Sequence, residues 1–228
     1  MNSYVSIEDR NAIQAEVPWE ERDYPKTVWS RLSKTADTHG ARKAITFQIT
    51  SGPNDAEETL TWDELRRKTA QTANLFRKLG VGPQDKVAYL LPNSNETVLT
   101  YLGGMVAGVV NPINPLLDAE QIGAILRETD AKVLVTLKAF PKTDVPQKAA
   151  EAVALAPNVK HLVEVDLHRY LTGLKKLIVP WIRPKVTVTH QAKVHDVVKA
   201  IAAQPETLSF EDVQEDRVCT YFHTGGTT

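Results

Sequence analysis

The chain has 228 residues, a formal charge of -1 and the apolar and charged content of an ordinary soluble protein. That balance gives no reason to expect a nucleic-acid-binding protein, and the single cysteine, Cys219, excludes an internal disulfide and a multi-cysteine metal site. The polar N-terminus lacks the basic start and apolar run of a signal peptide, and no apolar stretch reaches the roughly 20 residues of a membrane-spanning helix, so the expected location is the cytoplasm.

Residues 1–40 mix Pro18, Trp19, Pro25 and Trp29 with charges, which reads as an arm laid over the body, with a short helix over 28–36. The β-forming run 44–49 predicts a strand, Ser51-Gly52-Pro53-Asn54-Asp55 a turn, and residues 59–61 a return strand. Thr61-Trp62-Asp63-Glu64 has the form of a capping box, and Leu65, Thr69, Thr72, Phe76 and Leu79 follow at helical spacing. Gly80 stands where a left-handed C-terminal cap belongs. The apolar run 86–91 predicts a strand covered on both faces. Asn93 or Ser94 then caps a helix whose Gly103, Gly104 and Gly108 imply close packing against a sheet.

Asn111-Pro112-Ile113-Asn114-Pro115 reads as a turn-rich connection, followed by a helix from Asp118 and a strand over 132–136. A helix over 146–155 and a strand over 161–165 continue the alternation that marks βαβ units. The fold class is therefore α/β, with a mostly parallel sheet flanked by helices. The pattern breaks at Asp166, and 166–205 reads as a surface insertion. Within 169–185, basic residues stand beside Leu171, Leu174, Leu177, Ile178 and Trp181, which fits either peripheral membrane contact or a surface segment packed on its own domain. A helix over 194–203 and a strand over 218–222 complete the chain, with Cys219 expected in inert core packing.

The closing Thr224-Gly225-Gly226-Thr227-Thr228 has the chemistry of a phosphate cradle. Glycines without Cβ let backbone N–H groups approach an anion, and threonine hydroxyls donate further hydrogen bonds. It is not a Walker A loop, because no lysine lies in 221–228, and no Rossmann G-x-G-x-x-G follows the first strand. The scattered histidines show no metal-ligand spacing, and Ser94 and Ser209 lack a nucleophile elbow.

Read in order, Thr61-Trp62-Asp63-Glu64-Leu65, residues 79–88 (Leu-Gly-Val-Gly-Pro-Gln-Asp-Lys-Val-Ala), Leu91-Pro92-Asn93-Ser94-Asn95-Glu96, residues 102–108, Asn114-Pro115 and Thr224-Gly225-Gly226-Thr227-Thr228 resemble the N-terminal part of the AMP-forming adenylating superfamily. The resemblance covers about residues 40–228 and is strongest to acyl-CoA synthetases. It implies an incomplete N-terminal portion of the AMP-binding domain over 41–228. It also implies an ATP-dependent enzyme that converts a carboxylic acid, most naturally a fatty acid, through an acyl-adenylate to a thioester of coenzyme A, with Mg2+ accompanying ATP. Thr224, Gly225, Gly226, Thr227 and Thr228 match the start of the family's phosphate loop. Gly225 stands where many members have serine, and His223, where many have an aromatic, becomes a candidate for lining the acyl or nucleotide pocket. The family's remaining catalytic groups are expected beyond Thr228, so the chain alone is expected to be inactive. The alternative is a short, non-catalytic ligand-binding or interaction module derived from the same fold.

Overall fold

The computed structural model describes residues 5–18, 21–22, 24–50, 52 and 55–223. Helices α1 (Ile7–Glu16) and α2 (Val28–His39) precede a hairpin of β1 (Lys43–Gln48) and β2 (Glu57–Thr61), paired antiparallel. Thr61 then caps α3 (Trp62–Lys78), its hydroxyl accepting from the Glu64 N–H while the Glu64 carboxylate accepts from the Thr61 N–H at 2.8 Å. Asp63 and Glu64 lie in the first turn and Arg77 and Lys78 in the last, an arrangement that complements the helix dipole. The helix ends as predicted at Gly80, whose φ of 86° places it in the left-handed region.

The main sheet comprises β3 (Lys86–Leu90), β4 (Val109–Pro112), β5 (Ala131–Leu137), β6 (His161–Val165) and β7 (Lys193–Asp196), in the order β4-β3-β5-β6-β7 with every neighbouring pair parallel. Helices α4 (Asn95–Ala107), α5 (Ala119–Glu128), α6 (Val145–Ala154) and α8 (Val197–Ala202) connect or follow these strands. α3, α4 and α8 pack together, while α5 and α6 pack on each other. Burial of Val87, Ala88, Leu90, Val133, Leu134, Val135 and Val163 gives the sheet its apolar centre, and Phe76 and Leu126 press on it from helices. A smaller core joins Leu32 of α2 to Leu60, Leu65 and Leu99, so α2 is held by the body.

Several expectations need correction. Residues 109–112 form an edge strand, which tolerates Pro112 because β4 pairs with β3 through its whole length on one side only. The α4 glycines serve two neighbours: a Cβ on Gly103 would lie 2.7 Å from Thr72 of α3, and one on Gly104 3.1 Å from Val110 of β4. α1 is an additional helix, capped by a Ser6–Asp9 box and with no buried residue. The helix expected over 194–203 begins only at Val197, because residues 193–196 pair with β6. The segment after Asp166 thus returns to the sheet, after a 3-10 turn at Leu167–Tyr170, a short helix α7 (Gly173–Ile178) and a 3-10 turn at Val179–Trp181.

Candidate active site at the carboxyl edge of the sheet

β3 lies between β4, which follows it in sequence, and β5, so the connections leaving β3 and β4 run to opposite sides. In open α/β sheets such a switch opens a crevice at the carboxyl ends of the strands. Here the Thr136 hydroxyl donates to the Leu90 carbonyl at 3.3 Å across the β3–β5 junction, and Ser94 caps α4 just beyond β3, its Oγ accepting from the Thr97 N–H.

The C-terminal segment approaches the same edge. Thr220 forms a parallel bridge to Val110, with Val110 N–H donating to the Cys219 carbonyl and Tyr221 N–H donating to the Val110 carbonyl, both at 2.9 Å. The strand expected over 218–222 is thereby reduced to one bridge. Its partner β4 has only four residues and ends in Pro112, which lacks an N–H. Cys219 is half-buried at this edge and is not a core residue.

Arg217 fixes the approach. Its guanidinium donates to the carbonyls of Met105 at 2.6 Å, Gly108 at 2.7 Å and Val106 at 3.2 Å, the unpaired carbonyls at the end of α4. A cation at a helix C-terminus also meets the negative end of the dipole. Phe222 then packs near Tyr101, with ring centroids 6.5 Å apart, and His223 Nε2 lies 3.8 Å from Glu128 Oε2 at the surface. Thr224, Gly225, Gly226, Thr227 and Thr228 lie outside the described residues. Beside this junction, both polar side-chain atoms of Asn111 and the hydroxyl of Thr220 are buried without a hydrogen-bond partner among the described residues.

Two groupings escape local sequence reading. Glu58, Glu96, Arg169 and Tyr170 come together on β2, α4 and the turn after β6. Arg169 makes two 2.8 Å contacts with the Glu58 carboxylate, a short contact with Glu96, and a 2.8 Å bond to the Tyr170 hydroxyl, which itself donates to Glu96 Oε2 at 2.8 Å. Burial pushes the Tyr170 phenol up, and the Glu96 charge adds to this. Burial disfavours the charged Arg169, but Glu58 and Glu96 outweigh it and hold the guanidinium protonated. The cluster borders a cleft of 320 Å³ that also reaches Lys68, Gln71 and Ile201. It contains no nucleophile paired with a base, and its effect is to pin the hairpin, α4 and the post-β6 turn together.

The second grouping is His161 and His195 on adjacent strands, with Nδ1 and Nε2 3.1 Å apart. Burial lowers both imidazoles, and His195 and then Lys193 lower His161 further, while Lys193 lowers His195. Among the described residues no three His, Cys, Asp or Glu side chains converge as a metal-ligand group.

The model of the AMP-binding enzyme family matches residues 32–228. The chain belongs to that family. The chain is 31% identical over 144 residues to a marinolic acid–CoA ligase of a Pseudoalteromonas species, an alignment covering 63% of the chain and 22% of that relative. It is 24% identical over 226 residues to a long-chain-fatty-acid–CoA ligase of Bacillus subtilis, covering 95% of the chain and 39% of the relative. The chain thus spans well under two thirds of the length of these curated relatives. Its fold matches the crystal structure of a long-chain-fatty-acid–CoA ligase from Archaeoglobus fulgidus with a TM-score of 0.67 at 20% identity, over 91% of this chain and 36% of that one.

Proposed function

We propose that the chain forms the N-terminal part of an ATP-dependent acid–thiol ligase. The observation that carries this reading is the family match running unbroken into Thr224-Gly225-Gly226-Thr227-Thr228, which follows a segment pinned by Arg217 along β4 toward the carboxyl edge. The accompanying organisation is an arm over 1–40 and an incomplete AMP-binding portion over 41–228. A carboxylic acid is the proposed substrate, with a fatty acid preferred because the B. subtilis fatty-acid ligase aligns with 95% of the chain.

In the first half-reaction a carboxylate oxygen attacks the α-phosphorus of ATP; the new O–P bond forms as the bond to pyrophosphate breaks. In the second, the sulfur of coenzyme A attacks the acyl carbon, and AMP leaves with the former carboxylate oxygen. The proposed role of Thr224, Gly225, Gly226, Thr227 and Thr228 is to direct N–H and O–H donors at the β- and γ-phosphates, where charge grows as pyrophosphate departs. His223, immediately before them, is proposed to line the acyl or nucleotide pocket. The unpartnered amide of Asn111 and hydroxyl of Thr220 fit further polar partners at this junction. Mg2+ would neutralise the triphosphate, and no described residue is assigned to it. The proposed location of the reaction is the cytoplasm.

The test is acid-dependent ATP–pyrophosphate exchange in a protein of the relatives' length that begins with this chain. Thr227→Val and Thr228→Val should each lower kcat/KM by about 100-fold, the scale of losing one donor to a developing anion. Variants exchanging at the parental rate would contradict the assignment. The 228-residue chain alone should show no exchange.

A further inference from the structure

We propose that the surface built on Gly173–Ile182 docks onto an anionic lipid membrane. The inference does not depend on the acid-activating reading. Helix α7 has no buried residue, and its apolar side chains point away from the body. Leu174, Leu177, Ile178 and Trp181 follow one another at helical face spacing and are 74, 69, 50 and 89% exposed, with Ile182 beside them at 57%. A soluble helix ordinarily turns such a stripe inward. Here Val179 is the buried anchor, and the mount is polar: His168 Nε2 contacts the Lys176 carbonyl at 2.7 Å, and Arg183 holds Asp166 at 2.9 Å. The stripe is therefore presented outward by a fixed base.

Charge identifies the occupant. Between Asp166 and Asp196 the chain carries no acidic residue, while Arg169, Lys175, Lys176, Arg183, Lys185 and Lys193 fall within that stretch of a chain whose total charge is -1. Arg169 and Arg183 are committed to carboxylates. Lys175, Lys176 and Lys185 are exposed, flank the apolar stripe and are not held at ion-pair distance by a carboxylate among the described residues, although the charge of Lys175 is felt by Asp55. Apolar side chains with an amphipathic indole, bordered by ammonium groups, match the boundary between acyl chains and anionic headgroups. A second copy fits less well, since pairing two such faces would bring Lys175 and Lys176 of each copy together. Pro180 and Pro184 interrupt the helix, and no helix of the described residues is long and apolar enough to cross a membrane, so the contact is shallow.

The test is co-sedimentation of the 228-residue chain with vesicles of phosphatidylcholine, alone or mixed with phosphatidylglycerol. Two variants, Leu177→Ser with Trp181→Ser, and Lys175→Glu with Lys176→Glu, change exposed side chains only, and circular dichroism checks that their folds persist. The parent should pellet with the mixed vesicles and much less with phosphatidylcholine alone, and each variant should lose about tenfold or more in partition coefficient. Trp181 emission should shift to the blue on binding, a change missing from Trp181→Phe. Failure of the parent to bind, or binding unchanged in both variants, overturns the proposal. So does concentration-dependent self-association that the serine variant abolishes, which would assign the stripe to a protein interface.

Discussion

Arg169→Met should destabilise the protein by about 3 kcal/mol, and the figure follows from what it strands. The Glu96 side chain is 4% exposed and, without Arg169, keeps only the Tyr170 hydroxyl as a described side-chain partner. Breaking a buried ion pair from one side ordinarily costs about 3–5 kcal/mol, because a charge stays behind without compensation. The low end applies because the Arg169 and Glu58 side chains are 34% and 29% exposed, so water rehydrates Glu58 when the guanidinium is lost. For a chain of this size that loss corresponds to a fall in Tm of roughly 6–12 °C. Urea unfolding of Arg169→Met, Glu96→Gln and the double variant measures it. The double variant should recover about 1–2 kcal/mol of the Arg169→Met loss, since the neutral amide no longer needs a counter-charge and still accepts from Tyr170. A single-variant loss below about 1 kcal/mol, or a double variant no better than Arg169→Met, would refute the claim that Glu96 depends on Arg169.

Two further outcomes are expected. Because burial lowers both His161 and His195, the folded state disfavours their protonation: stability is full above the ordinary imidazole value of about 6.5 and declines as pH falls through it toward the depressed folded values. Thermal melts between about pH 7.5 and 5 should show this decline, and His161→Phe should flatten it; an unchanged slope in the variant would assign the decline to other groups. Gly103→Ala should destabilise by about 1–3 kcal/mol in chemical unfolding, because its Cβ would lie 2.7 Å from the β-branched Thr72 on the facing helix. A neutral effect there would mean that α3 and α4 separate freely.

Local chemistry made much of the fold legible. The Thr61–Glu64 capping box and Gly80 bracket α3, and the apolar runs at 86–91 and 132–136 mark strands covered by helices. Two strands were hidden for physical reasons. β4 carries Asn111 and Pro112, which signal a turn in isolation and are tolerated because the strand lies at the edge of the extended pairing. β7 is a largely exposed edge strand of four residues running straight into α8, so its apolar positions merge with the helical pattern after it. The large apolar residues of α1, Ile7 and Ile13, stand six positions apart and so fall on different faces, which leaves no helical periodicity to find. Of the candidate site, the glycine-threonine loop was visible as chemistry, whereas the segment that precedes it is held by Arg217 reaching carbonyls more than a hundred positions earlier in the chain. The Glu58–Glu96–Arg169 cluster is likewise assembled across 111 and 73 positions, beyond the range of any local pattern.

The proposed reaction activates a carboxylate at the α-phosphorus of ATP. It is tested most directly by supplying a carboxylic acid labelled with heavy oxygen, together with ATP and coenzyme A, to the protein of the relatives' length and following the label by mass spectrometry. AMP should carry one heavy oxygen for each thioester formed, since the oxygen that joined the α-phosphorus departs with it. Heavy oxygen in inorganic phosphate with ADP as the nucleotide product would contradict this reaction, because it would place the attack at the γ-phosphorus.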